Sequence, residues 1–413
     1  MIAKPRMESK VGNYRFTFDD LGIMVDVEHL DDDAKGELLI WYKNGAATPS
    51  LLHQAQHNLL STTLHQQVER GLKTRLEDVD WSIILTYVTH MALDDFRRGE
   101  PLLELSTDDE ARPIEYMAKP LIVKGMPNIL FGDGGAGKSE TALLSAMFLF
   151  LGMTDNPMNL EVSELSQPGI ILDFEADEFA VRRRMRRIKD GLGLPTTFVK
   201  YRRCVRPLCE DLPEIKRLTD LTKAKWIVID SLAPACGDDL FAPGTANKFF
   251  RALRQLKTSD TNEPITSIIV AHNSKGGEDS PKTVFGSVFF TNLARSVWEL
   301  RGEQEGSENH IGMFHRKANE TMKHPPMGFK LTYNDPEGPI TIEPEDLKET
   351  RHSSQLPASI LIKDYLRRGK ASVSELHESL MLTENNIRVT LKRLKDKGVA
   401  VQLGKDVWGL MSQ

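Results

Sequence analysis

Cysteine is nearly absent from this sequence: Cys204, Cys209 and Cys236 are its three thiols in 413 residues. So few, at irregular spacing, exclude a disulfide framework and a four-thiolate zinc centre, and predict reduced thiols. Long apolar runs are missing too. No stretch approaches the roughly 18 residues needed to span a bilayer, and residues 1–16 lack the apolar segment of a secretory signal. The expectation is a soluble, cytoplasmic protein with no membrane partner. Basic charge is not in excess: 53 Lys and Arg face 59 Asp and Glu, a formal net of −6. That balance excludes coating of nucleic acid by bulk charge and confines any such contact to a local patch. What is present is an ordinary globular composition, 40% hydrophobic and 27% charged, at a length that fits two to four domains.

Patterning divides the chain. Residues 1–113 predict a small α+β accessory domain. In it Leu21 to Val27 and Glu37 to Tyr42 read as a hairpin turning at Asp31-Asp32-Asp33 and Gly36, and apolar spacing over Leu51 to Leu72 and Asp78 to Phe96 reads as two helices. Residues 114–344 change to short apolar strands alternating with helices, the pattern of a mainly parallel sheet covered on both faces. The strands are Asn128 to Gly132, Gly169 to Phe174, Trp226 to Ile229, Ser267 to Ala271 and Ser296 to Leu300, with Ile311 to His315 and Met327 to Tyr333 as an antiparallel extension. Residues 345–357 are polar and aperiodic, and read as a linker. Residues 358–413 read helix, helix, turn, helix, hairpin, with Ser372 and Glu375 spaced as a capping box and Gly398 closing the third helix. This segment resembles a winged helix-turn-helix.

One motif carries the chemistry. Gly132-Asp133-Gly134-Gly135-Ala136-Gly137-Lys138-Ser139 fits G-x-x-x-x-G-K-[ST], follows the apolar Asn128 to Phe131 and precedes the helical Thr141 to Leu151. Glycines let the backbone wrap with its N–H groups inward, and the helix start, where Glu140 follows, adds unpaired donors and partial positive charge. The loop therefore predicts ATP as ligand, with Lys138 on the β- and γ-phosphates and the Ser139 hydroxyl on Mg²⁺. Two further strands end in acids. Asp230 closes Lys225 to Ile229 and predicts the second magnesium-holding group. Glu175 closes the strand from Gly169 and predicts the base that polarises the attacking water, sharing a face with Asp173 by strand alternation.

The order of P-loop, Glu175, Asp230 and Ile268-Ile269-Val270-Ala271-His272-Asn273-Ser274-Lys275 resembles the RecA-like ATPase cores of RepA-type hexameric replicative helicases, close to the DnaB group, over about Tyr116 to Tyr333. The resemblance implies that His272 senses the γ-phosphate. It also implies that Arg295, in Gly286 to Arg295, is an arginine finger reaching a neighbouring subunit's site, and that Lys317, in Arg316-Lys317-Ala318-Asn319, points across the same boundary. Here Asn319 stands where the family has arginine. Fingers given in trans imply a homo-hexameric ring.

Two loops leave the ends of central strands, Ala233 to Ala246 and Asn273 to Thr283. The resemblance implies that both loops line a central channel; Lys275 and Lys282 in the second are then the expected phosphate contacts to single-stranded DNA, while Asp238-Asp239 in the first would repel it. Phe241 and Phe285 are the rings near these loops. Residues 355–413 hold ten basic and six acidic side chains, and Arg388 and Lys392 on the third helix are expected on duplex DNA, with docking to a replication protein as the other use of such a domain. The run Arg182 to Arg187 reads as a solvated or subunit-facing helix face. The leading expectation is an ATP-dependent DNA helicase of a plasmid, phage or similar mobile element. A nucleotide-switched DNA-binding regulator or helicase loader, and a RecA-like recombinase, are the competing readings.

Overall fold

The computed structural model describes residues 2–10, 13–30, 33–43, 45, 48–98, 102, 104–107, 112–274, 282–350, 352 and 355–411. They fall into two compact units, Met1–Arg112 and Pro113–Gln413.

The first unit is an antiparallel sheet in the order β1 (Arg6–Lys10), β2 (Asn13–Phe18), β3 (Ile23–Glu28), β4 (Lys35–Tyr42), β5 (Ser50–Asn58), followed by α1 (Thr62–Lys73) and α2 (Trp81–Arg98). Alternation decides which face is covered: Tyr14, Phe16 and Phe18 on β2 and Ile23, Val25 and Val27 on β3 are buried with Trp81, Ile84, Leu85 and Val88 of α2. Two expectations are corrected. Residues 51–58 are not helical but form β5, whose backbone completes the ladder of β4 from Lys35↔Asn58 to Tyr42↔Ser50. An eight-residue strand in need of a partner outweighs weak helical spacing. Gly36 lies within β4 rather than in a turn, and Asp31 and Asp32 are outside the described residues.

The second unit opens with β6 (Tyr116–Lys119), β7 (Ile122–Val123) and β8 (Pro127–Gly132). It continues through α3 (Lys138–Leu151), β9 (Glu161–Val162), β10 (Gly169–Asp173), α4 (Glu178–Leu192), β11 (Lys200–Arg203), α5 (Leu208–Thr222) and β12 (Trp226–Asp230). Then come α6 (Leu232–Cys236), α7 (Pro243–Gln255), β13 (Thr266–His272), α8 (Val288–Leu293), β14 (Ser296–Glu305), β15 (Glu308–Ala318), β16 (Met327–Tyr333) and β17 (Ile340–Glu345). Nine of these strands form one sheet, β11-β10-β12-β13-β8-β14-β15-β16-β17; the first six run parallel and the last three add antiparallel. This is a large mixed sheet in an α/β unit. One face packs α3 and α4 against Leu130, Ile171, Val228 and Trp298; the other packs α5 to α8 against Ile129, Phe131, Ile229 and Val297. Strands buried on both faces need no alternation, which is why they read as continuous apolar runs. The packing is close: a Cβ on Gly169 would sit 2.0 Å from the Trp226 indole.

Beyond β17 the stretch expected as a linker is partly packed. Leu347 and Leu356 close on Phe314, and buried His352 reaches the His310 carbonyl at 3.0 Å. Helices α9 (Ala358–Arg367), α10 (Val373–Leu380) and α11 (Glu384–Asp396) then surround Ile362, Leu376, Ile387 and Leu391, with strands β18 (Ala371–Ser372), β19 (Ala400–Gly404) and β20 (Val407–Leu410) beside them. The Ser372 hydroxyl accepts from Glu375 N–H and the Glu375 carboxylate accepts from Ser372 N–H, closing the capping box. Among the described residues no helix is long and apolar enough to cross a membrane. The three thiols are unbridged, and burial pushes Cys204 to about 11 and Cys236 to about 12.

Candidate nucleotide site

Register brings the acidic strand ends level. Asp173 pairs with Asp230 across β10 and β12, and His272 pairs with Gly132 across β13 and β8, so the loops leaving β8, β10, β12 and β13 share one edge of the sheet. The glycine-rich loop departs from that edge. Gly135 and Gly137 both hold φ near 76°, a left-handed backbone that other residues resist. A Cβ on Gly137 would also sit 2.2 Å from Ile311 Cδ1. Helix α3 starts on the next residue, Lys138, so its unpaired amides face the loop's interior. Lys138 is buried and its ammonium donates to the Asp133 carbonyl at 2.6 Å. Burial lowers its pKa, and the opposing pull comes from Asp230, Asp133, Glu140 and Glu175.

The two residues expected on magnesium meet. Burial pushes the Asp230 carboxyl up to about 6, and a hydrogen bond from Ser139 works against that rise. A hydroxyl and a carboxylate converging from different elements, with the Glu175 carboxylate acting on Asp230, offer oxygen donors of the kind that fits a hard divalent cation. Glu175 lies just past the end of β10, exposed to water, and accepts from the Ser231 hydroxyl at 2.7 Å. The expectation that Asp173 shares its face is corrected. Strand β10 stops at Asp173, and that buried carboxylate is occupied with the amides of Glu175 and Ala176 (2.9 and 2.8 Å) and the Tyr201 hydroxyl (3.0 Å). It shapes the turn that presents Glu175.

Other sequence-predicted residues divide between near and far. His272 is exposed at the tip of β13, beside Gly132. Arg295 stands at the opposite edge, its N–H on the Pro127 carbonyl at the start of β8 and its guanidinium 3.6 Å from Glu320. Five residues of strand, about 16 Å at roughly 3.3 Å each, separate it from Gly132. Lys317 does not project: its ammonium is held by the carbonyls of Thr291, Asn292 and Ala294 at 2.8, 2.6 and 2.7 Å, closing the end of α8. Lys282 pairs with Asp133 of the phosphate loop, and Lys275 lies outside the described residues. Phe241 and Phe285 are in edge-to-face contact at 5.3 Å, joining the two loops.

Several contributors have no motif. Arg184, within the arginine run, pairs with Glu140 at 3.1 Å and acts on Asp230, while Arg187 grips the carbonyls of Gly338 and Asp335. Asn309 on β15 donates to the Gly135 carbonyl at 3.2 Å, and Gly302 on β14 leaves room for Ala136.

Residues 97–278 match the family model of the AAA domain. That segment is similar to a P-loop ATPase domain, with nucleotide binding as the property that goes with it. The match takes in the glycine-rich loop, Glu175, Asp230 and His272, and spans less than half of the chain. No curated protein matches the sequence.

Proposed function

We propose that this chain is an ATP- and magnesium-dependent DNA motor, most like a RepA-type ring helicase serving replication of a plasmid, phage or similar mobile element. The observation that carries the reading is the convergence of Lys138, the Ser139–Asp230 hydrogen bond and the Ser231–Glu175 hydrogen bond at one sheet edge. Lys138 leaves the Asp133 carbonyl for phosphate oxygens. Glu175, held by Ser231 and open to water, takes the proton of the attacking water. Asp230 and Ser139 would hold the cation, which would neutralise charge developing on the phosphates. His272 beside Gly132 reads the terminal phosphate.

Arg295 cannot serve its own site from the far edge of the sheet, so its finger role requires a second copy, and we propose that this head-to-tail contact repeats around a closed hexamer. Supporting a nucleic-acid role, the Phe241–Phe285 pair offers rings for base stacking, with Phe241 64% exposed. Residues 358–411 act as a winged helix that docks on duplex DNA or a replication protein: α11 buries Ile387, Leu391 and Leu394 and exposes Arg388 and Lys392 one turn apart. Arg388 is held there by Glu384 and Asp406.

Turnover with single-stranded DNA, duplex DNA and none tests this, on wild type and Glu175→Gln. The variant is expected to bind nucleotide while hydrolysis falls by at least about 10²-fold. DNA-stimulated turnover without strand separation on forked substrates would reject the helicase and favour the nucleotide-switched regulator or loader.

A further inference from the structure

Asp133, the second residue of the phosphate loop, is a junction. Its backbone carbonyl takes the Lys138 ammonium, and its carboxylate takes Asn273 at one oxygen and Lys282 at the other. Asn273 and Lys282 flank the segment that follows β13. Asn273 belongs to a short antiparallel stem that Lys282 adjoins: Ser274 N–H donates to Thr283 O at 2.8 Å, Phe285 N–H donates to His272 O at 2.8 Å, and Asn273 bridges Val284. One carboxylate therefore holds both legs of the stem from 140 and 149 residues away in sequence. Lys282 and Asn273 together keep the Asp133 carboxyl below the ordinary range, so it stays charged.

Charge makes this junction responsive. A triphosphate cradled by the loop sets several negative charges beside the Asp133 carboxylate, and Lys138 must give up the Asp133 carbonyl to reach them. Like charges repel, and a flexible ammonium with 29% of its side chain exposed gains phosphate oxygens as a competing partner. A tie between fixed groups within one strand could not respond in this way. This one joins the phosphate-binding loop to a stem that is otherwise held by a few backbone bonds and by the Ser274 hydroxyl on Thr283.

We propose that Lys282 is a positioning residue that couples occupancy of the phosphate loop to the stem after β13, its ammonium shared between Asp133 and the terminal phosphates. The proposal rests on the nucleotide reading of the loop, and it assigns Lys282 a task distinct from direct contact with DNA.

Hydrogen exchange at the Ser274 and Phe285 amides of the full chain, with and without a non-hydrolysable ATP analogue and magnesium, tests it alongside a separate measurement of analogue affinity. Wild type is expected to change exchange at these amides by about 2- to 5-fold on binding, the scale of a partly exposed ion pair. Lys282→Met, read at analogue concentrations that saturate it by the separate affinity measurement, is expected to lose that response, and Lys282→Arg to restore it. A wild type that binds the analogue with stem exchange unchanged, or a Lys282→Met response equal to wild type, overturns the coupling alone. A wild type that binds no analogue removes the coupling and the nucleotide reading together.

Discussion

Asp230 shows what the site costs the fold. Its carboxyl is pushed up to about 6 by burial, above the range for an exposed aspartate, so the folded chain holds a proton there that the unfolded chain has released. Ionisation thus destabilises the native state, fully so above about pH 6 and not at all below the ordinary aspartate range. Asp230→Asn is expected to raise unfolding free energy near pH 8 by about 1–2 kcal/mol and to leave it unchanged near pH 4. Urea titrations at the two pH values check this; equal effects at both would contradict it. The same proton predicts that magnesium-dependent nucleotide affinity weakens as pH falls through about 6. The glycine-rich loop was legible because its motif is written in consecutive residues. Ser231, 56 residues from its partner Glu175, and Asn309, 174 residues from Gly135, were not, because only the folded sheet makes them neighbours.

Among the elements, β14 and β15 carry the least visible engineering. Their pairing slips between Val297 and Trp298, where His315 and Lys317 are the facing partners and Arg316 is the extra residue. His315 stacks on Trp298 at 4.3 Å near His324, and burial lowers its pKa to about 4. A histidine kept neutral in the native state while the unfolded chain protonates costs stability on acidification, beginning near its ordinary value and growing until about pH 4. His315→Gln is therefore expected to remove about 1–2 kcal/mol of the stability that wild type loses between pH 7 and pH 5, measured by chemical unfolding. A variant with the full wild-type pH dependence would contradict it. Element type was legible where packing is two-sided, as in β8, β12 and β13, whose apolar runs announce a buried parallel sheet. It failed at β5, a polar edge strand fixed by its neighbour's backbone rather than by its own side chains, and at β1 and β11, which are short and largely exposed.

Across the whole molecule, each compact unit has its own apolar core. Residues 1–112 expressed alone are expected to unfold in one cooperative transition, which calorimetry would detect; a chain without a transition would show that the sheet of β1 to β5 depends on the rest. Arg295 sets the expectation for assembly. Native mass spectrometry with nucleotide and DNA should show hexamers, and monomers alone under those conditions would defeat the ring.

The long sheet has one more property. Helix α4 leaves its first edge between β10 and β11, yet lies against β17 at the last edge, where Arg187 grips the β16–β17 turn and a Cβ on Gly191 would fall 1.9 Å from the Ile340 carbonyl. The two ends of the strand array are thereby clasped into a circuit around α3. Unzipping the last strand must loosen the helix that begins three residues after Glu175, so that carboxylate and the most distant hairpin share a single act of opening.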